Sequence, residues 1–87
     1  MEPIYLDNNA TTRVDAEVVE AMLPYFSEQF GNASSMHSFG DMVGRAVKHA
    51  RKQVQRLLGA EHVSVIIFTS CGTVSVSTAI LSALLTQ

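Results

Sequence analysis

The apolar positions fall into separate runs, each with its own period. Val18, Val19, Met22, Leu23 and Phe26 share helical spacing and predict a helix from Asp15 through about residue 28. Asp15 suits the N-cap, and Glu17 puts a negative charge in the first turn, where the helix dipole favours it. Pro24 lies inside this run and should kink it. Ahead of the helix, Ile4-Tyr5-Leu6 is a short apolar stub, and Asp7 to Thr12 is a loop of turn formers. Gly31 to Ser35 is a second loop. Val43, Val47, Ala50, Val54 and Leu57 then recur at spacings of four, three, four and three. They predict the clearest helix in the chain, opened by a Ser38–Asp41 variant of the capping box and closed by Gly59. Val63 to Thr69 is β-branched and aromatic around Val65-Ile66-Ile67-Phe68, the pattern of a strand buried on both faces. Ser70 to Thr73 is a turn, and Ser75 to Leu85 continues as an apolar helix.

A doubly buried strand needs neighbours on both edges, and the chain offers only the stub at residues 4–6. The pattern therefore predicts the front portion of a larger α/β protein, with self-association or loose packing when it stands alone. Composition agrees. Hydrophobic residues make up 47% of the 87 positions and charged residues 16%, which excludes disorder by composition. Eight acidic against six basic side chains leave a net charge of −2. That balance argues against a nucleic-acid surface, and the basic residues Arg45, Lys48, Arg51, Lys52 and Arg56 read as the solvated faces of their helix. The segment Val63–Gln87 carries no charge over 25 residues, which is long enough to span a bilayer. Repeated Ser and Thr and a central Gly72 interrupt it, so a strand–turn–helix is the better reading and no membrane contact is expected. One cysteine excludes an internal disulfide. With no basic leader at residues 1–7, a reducing cytoplasmic setting is expected.

The chemistry concentrates at Phe68-Thr69-Ser70-Cys71-Gly72-Thr73. A helix that starts at such a turn presents unpartnered N–H groups and the positive end of its dipole, and Gly lets an anion come close to the backbone. The turn is thus a phosphate candidate, although a plain connection between strand and helix has the same pattern. Cys71 reads as a small buried filler at a strand end, since no base stands beside it in sequence. His37, His49 and His62 lack metal-ligand spacing, so no metal site is assigned. Asp7 has no acidic or basic partner nearby, and Lys48 and Lys52 sit on the basic helix face rather than in an apolar setting.

Three ordered segments carry a resemblance: Tyr5 to Thr12, Phe30 to Gly40, and Phe68 to Thr73. Together they resemble the N-terminal part of the cysteine desulfurases, and most closely the NifS type that serves nitrogen fixation. The resemblance implies an α/β protein, the N-terminal portion of a pyridoxal-phosphate-dependent transferase of fold type I (aspartate-aminotransferase-like). It implies a homodimer that converts L-cysteine to L-alanine and passes the sulfur, as an enzyme persulfide, to an iron–sulfur scaffold protein for metallocluster assembly. Carried onto this chain, it makes Gly72 and Thr73 the cofactor-phosphate turn. It divides the chain into an entry loop and kinked helix at 1–30, a loop and basic helix at 31–59, and the strand–turn–helix at 63–87. The family's aldimine lysine and persulfide cysteine match no position here, and Cys71 is not nominated for either role. The family usually has Pro at the position of Ala33 and acids at those of Val74 and Val76.

Two other readings accompany this one: a non-enzymatic helical module that docks through its apolar faces, and another lyase or aminotransferase of the same fold. The expectation for the 87 residues by themselves is no desulfurase activity, because no residue is available for the aldimine or the persulfide. Sulfide release from L-cysteine above a free-cofactor control would contradict that expectation.

Overall fold

A computed structural model describes residues 1–86. The chain forms two compact units, Met1–Val47 and Lys48–Gln87. Its helices are α1 (Ala16–Met22), α2 (Pro24–Ser27), α3 (Ser38–Leu58) and α4 (Gly72–Leu85), with one 3₁₀ turn at Val63–Val65. The boundary between the units falls within α3.

In the first unit, Asp15 caps α1 as its chemistry suggests: its Oδ1 accepts the Glu17 N–H at 3.0 Å. Pro24 separates α1 from α2. Leu23 keeps helical dihedrals (φ −52°, ψ −44°), but Pro24 has no N–H to continue the ladder, so a new short helix starts there. The entry loop is closed by its own groups. The Tyr5 hydroxyl donates to the Asp7 carbonyl at 2.9 Å and pairs with the Thr11 hydroxyl, while the Ala10 N–H donates to the same carbonyl at 3.0 Å. In the second loop Asn32 accepts twice, from Ser34 N–H at Oδ1 and from Ser35 N–H at its carbonyl, both at 2.9 Å. Such Asx turns are the local reason that Asn and Ser cluster there.

The start of α3 corrects the predicted capping box. Ser38 is already helical, and the cap is His37: its Nδ1 accepts the Gly40 N–H at 3.3 Å and its carbonyl accepts the Asp41 N–H at 2.9 Å. An imidazole nitrogen one residue earlier does what a hydroxyl was expected to do. Behind the cap, Gly40 is the one buried residue of α3. A Cβ there would lie 2.2 Å from the Ser35 carbonyl oxygen and 2.9 Å from that of Asn32, so the loop packs onto α3 only because the side chain is missing. Phe30 and Phe39 add a stacked ring pair with centroids 5.9 Å apart.

In the second unit, α3 ends in a Schellman motif. Gly59 takes φ +67°, its N–H donates to Arg56, and the Ala60 N–H donates to Gln55. The Gln55 side chain then holds the departing chain through the carbonyls of Ala60 and Glu61, at 3.1 and 3.4 Å. Of the predicted apolar stripe, Val43, Val47, Ala50 and Val54 are half-buried, whereas Leu57 is exposed.

The predicted strand is absent. Val63–Val65 is a 3₁₀ turn, Ile66 after it is extended (φ −89°, ψ +116°), and no strand is formed among the described residues. A strand exists through a paired edge. None is supplied within the described residues, so the β-branched run turns on itself instead. The expected α/β architecture is therefore not what the described residues form; their regular structure is helical. Nor does burial follow: Val65 is 60% and Ile67 71% exposed. Among the described residues no hydrophobic side chain is buried, and α4 carries Val74, Val76, Ile80, Leu81, Leu84 and Leu85 in the open. Among the described residues no helix is long and apolar enough to cross a membrane.

Two glycines of α3 provide an opposed pair of substitutions. Alanine is the better helix former by about 0.5–1 kcal/mol. At Gly44 a Cβ meets only the Ala33 carbonyl oxygen at 3.5 Å, so Gly44→Ala should raise helical ellipticity and its thermal persistence. Gly40→Ala should lower both, with overpacking costing about 1–3 kcal/mol. Equal behaviour of the two variants in circular dichroism would contradict the packing at Gly40.

Candidate functional site

The turn from Thr69 to Ser75 is built by hydroxyls and backbone. The Thr69 and Ser75 hydroxyls pair with each other and lie 3.1 and 3.3 Å from the Cys71 carbonyl, so one hydroxyl proton bridges the pair and the other goes to that carbonyl. The Cys71 carbonyl also accepts the Ser75 N–H at 3.1 Å, the first bond of α4. One hydroxyl and one N–H thus donate to the same oxygen, and the chain is held as it enters the helix. Thr69 and Ser75 carry this bracing, and sequence reasoning did not single them out. The available signal was a pair of hydroxyl residues flanking a turn that contains Gly72.

α4 begins at Gly72, inside the segment read from sequence as a turn and three residues ahead of the helix expected from Ser75. Among the described residues, the N–H groups of Gly72, Thr73 and Val74 enter no hydrogen bond to oxygen or nitrogen. A Cβ built at Gly72 meets nothing within 4 Å. The first turn of α4 holds no acidic residue. Free donors, open space and no competing carboxylate are the requirements for an anion at a helix start.

Cys71 is the N-cap residue, with extended backbone (φ −166°, ψ 169°), and it is exposed. The reading of it as a buried filler is therefore corrected. With no strand to end and no core beside it, the thiol stands in solvent at the positive end of α4. Its side chain forms no cap hydrogen bond. The Val74 N–H nevertheless lowers the thiol pKa most; desolvation opposes it, and the Ser70 side chain and the Thr73 N–H add smaller lowering effects that leave the thiol below its ordinary value.

The other residues weighed from sequence lie elsewhere. His37 caps α3, and His62 sits 3.7 Å from the Glu61 carboxylate on the surface. No group of three or more His, Cys, Asp or Glu side chains is arranged to hold a metal among the described residues. Asp7 organises the entry loop through its carbonyl rather than its carboxylate. Lys48 and Lys52 line a cleft together with Val63 and Ile66, so their surroundings are more apolar than the helical pattern implied.

Cys71 also supplies a measurable consequence. Thiolate is the species that alkylates, and a lowered pKa moves its appearance to lower pH. The rate of Cys71 alkylation by iodoacetamide should rise with a midpoint below that of a free cysteine peptide, near pH 8.5. Ser70→Ala should move the midpoint upward. A midpoint at or above that of the free peptide would contradict the assignment.

The chain matches the family model described as aminotransferase class-V over residues 4–87. It is 71% identical over 87 residues to the cysteine desulfurase NifS of Azotobacter vinelandii, which covers 100% of this chain and 22% of that protein. It is 69% identical over 84 residues to a cysteine desulfurase of Azotobacter chroococcum mcd 1, covering 97% of this chain and 21% of the relative. A cysteine desulfurase of Gluconacetobacter diazotrophicus is 64% identical over 87 residues, again 100% and 22%. The chain therefore spans only 21–22% of the length of these curated relatives. No solved structure matches it.

Proposed function

Because the chain belongs to the class-V aminotransferase family, we propose that it is the N-terminal portion of a pyridoxal-phosphate-dependent cysteine desulfurase of fold type I. Its role is to help hold the cofactor phosphate. The observation that carries this reading is the start of α4, where the N–H groups of Gly72, Thr73 and Val74 donate to no oxygen or nitrogen among the described residues and Gly72 leaves open space. These residues fit a phosphate. Gly72 lets it reach the backbone, the Thr73 hydroxyl adds a donor, and the dipole of a 14-residue helix supplies positive potential. The bracing by Thr69 and Ser75 fixes the donors before the anion arrives, which lowers the ordering cost of binding.

Once bound, pyridoxal phosphate acts as the electron sink for bond cleavage in an amino-acid substrate. In this reading L-cysteine is that substrate, L-alanine is the product, and the sulfur leaves through an enzyme cysteine toward an iron–sulfur scaffold in the cytoplasm. The division of labour among residues 1–30, 31–59 and 63–87, and the homodimer, belong to the same proposal. Gly72 and Thr73 are its cofactor-binding residues. Support comes from the 59–71% identity of eight relatives over 97–100% of this chain, each named a cysteine desulfurase. Val74 and Val76 stand where the family usually has acids. Their apolar side chains, 42% and 60% exposed, leave the phosphate without a nearby negative charge and remove two charges that favour a helix start.

In a full-length relative carrying these residues, Thr73→Val should weaken pyridoxal-phosphate binding by about 0.5–3 kcal/mol, the range for one hydrogen bond, with the upper part applying to a charged acceptor. Titration of the apo-enzyme, followed by absorbance, measures it. Unchanged affinity would remove Thr73 from the site.

A further inference from the structure

The second unit contains a cleft of about 480 Å³ lined by Lys48, Arg51, Lys52, Val63, Ser64 and Ile66. That volume lies within the range of small-molecule sites, about 300–1,000 Å³. One wall is a face of α3, where Lys48, Arg51 and Lys52 stand at i, i+3 and i+4. The facing wall is the 3₁₀ turn and Ile66, which offer two apolar side chains and the Ser64 hydroxyl.

The charge here is uncompensated. The chain is acidic overall, yet five of its six cations lie between Arg45 and Arg56, a stretch without one acid. Among the described residues none of the three cleft cations is paired with a carboxylate. Glu61, the next acid along the chain, sits beside His62 instead. Arg51 is fixed in place: its Nε donates to the Ile66 carbonyl at 3.2 Å, and its guanidinium lies 5.1 Å from the centroid of the Phe68 ring. Its terminal amino groups have no partner among the described residues. A planar, pre-set guanidinium flanked by two ammonium groups suits a phosphate oxygen cluster. Val63 and Ile66 suit an apolar body attached to it.

We infer that this cleft binds a small phosphate-bearing molecule with an apolar body, at a site separate from the turn at Gly72 and Thr73. Lys48, Arg51 and Lys52 take the phosphate, Ser64 donates one hydrogen bond, and Val63 and Ile66 cover the apolar part. The inference does not depend on the cofactor reading, since it uses no residue of α4.

The probe is 1-naphthyl phosphate, with inorganic phosphate and 1-naphthol as its separated halves, in equilibrium dialysis against the whole 87-residue chain. The expected result is tighter binding of 1-naphthyl phosphate than of either half, weakening as salt rises. Lys48→Gln and Lys52→Gln should each lower affinity about five-fold, the upper end for an exposed ion pair. Arg13→Gln and Arg56→Gln remove the same charge outside the cleft and should leave affinity within two-fold, about the lower end of that range. Backbone amide shifts should map to Val63, Ser64 and Ile66. Equal loss in all four variants, no preference over 1-naphthol, or shifts confined to Gly72–Val74 or to the apolar surface of α4 would each overturn the inference. Shifts confined to Gly72–Val74 would do so while leaving the cofactor-phosphate turn intact.

Discussion

Arg51 ties the chain beyond α3 back onto that helix. Its bond to the Ile66 carbonyl spans 15 residues, whereas every other side-chain hydrogen bond among the described residues spans six or fewer. A charge-assisted bond at a half-buried position and a cation–π contact with Phe68 together supply roughly 1–3 kcal/mol. In a chain with no buried hydrophobic side chain among its described residues, that is a large share of the long-range order in its unit. Guanidinium chemistry matters here. A lysine ammonium has no planar fork to donate to a carbonyl while lying flat on a ring.

The tie has consequences on both sides. It positions the facing wall of the basic cleft by holding Ile66, and it fixes Phe68 immediately before the braced turn that opens α4. The turn then needs no tertiary support of its own, since Thr69, Cys71 and Ser75 satisfy one another. Short-range polar contacts thus set the geometry of the turn that opens α4, while the apolar surface of that helix stays unsatisfied. An exposed face of that kind favours association with further protein surface, as part of one fold or between copies.

What could be read in the sequence follows the range of the interactions. Asp15, Pro24 and Gly59 act within four residues of themselves, and each does what its type dictates. The turn-to-helix change near Gly72 was legible for the same reason, to within three residues. The His37 cap was not, because an imidazole acceptor is an uncommon substitute for a hydroxyl at that position. The strand at 63–69 was misread because a β-branched run specifies a strand only in company. Without a paired edge among the described residues, the same residues make a 3₁₀ turn and one extended link. A buried Cys71 needs a strand end to pack against as well as the absence of a neighbouring base, and without that strand the thiol is exposed. Lys48 and Lys52 were assigned correctly to the basic face of α3, but the cleft beside them depends on where residues 63–66 return, which no local pattern encodes.

The dependence of the second unit on Arg51 is the central claim, and hydrogen exchange on the Arg51→Lys variant addresses it most directly. The substitution keeps the charge and the helix propensity of α3. The Ile66 N–H, bonded to Val63 in the 3₁₀ turn at 3.1 Å, and the Ser75 N–H, bonded to Cys71 at 3.1 Å, report the two segments on either side of Phe68. The account predicts faster exchange at Ile66, with protection in the middle of α3 and at Ser75 retained. Unchanged exchange at Ile66 would show that residues 63–66 are held without Arg51 and would contradict it.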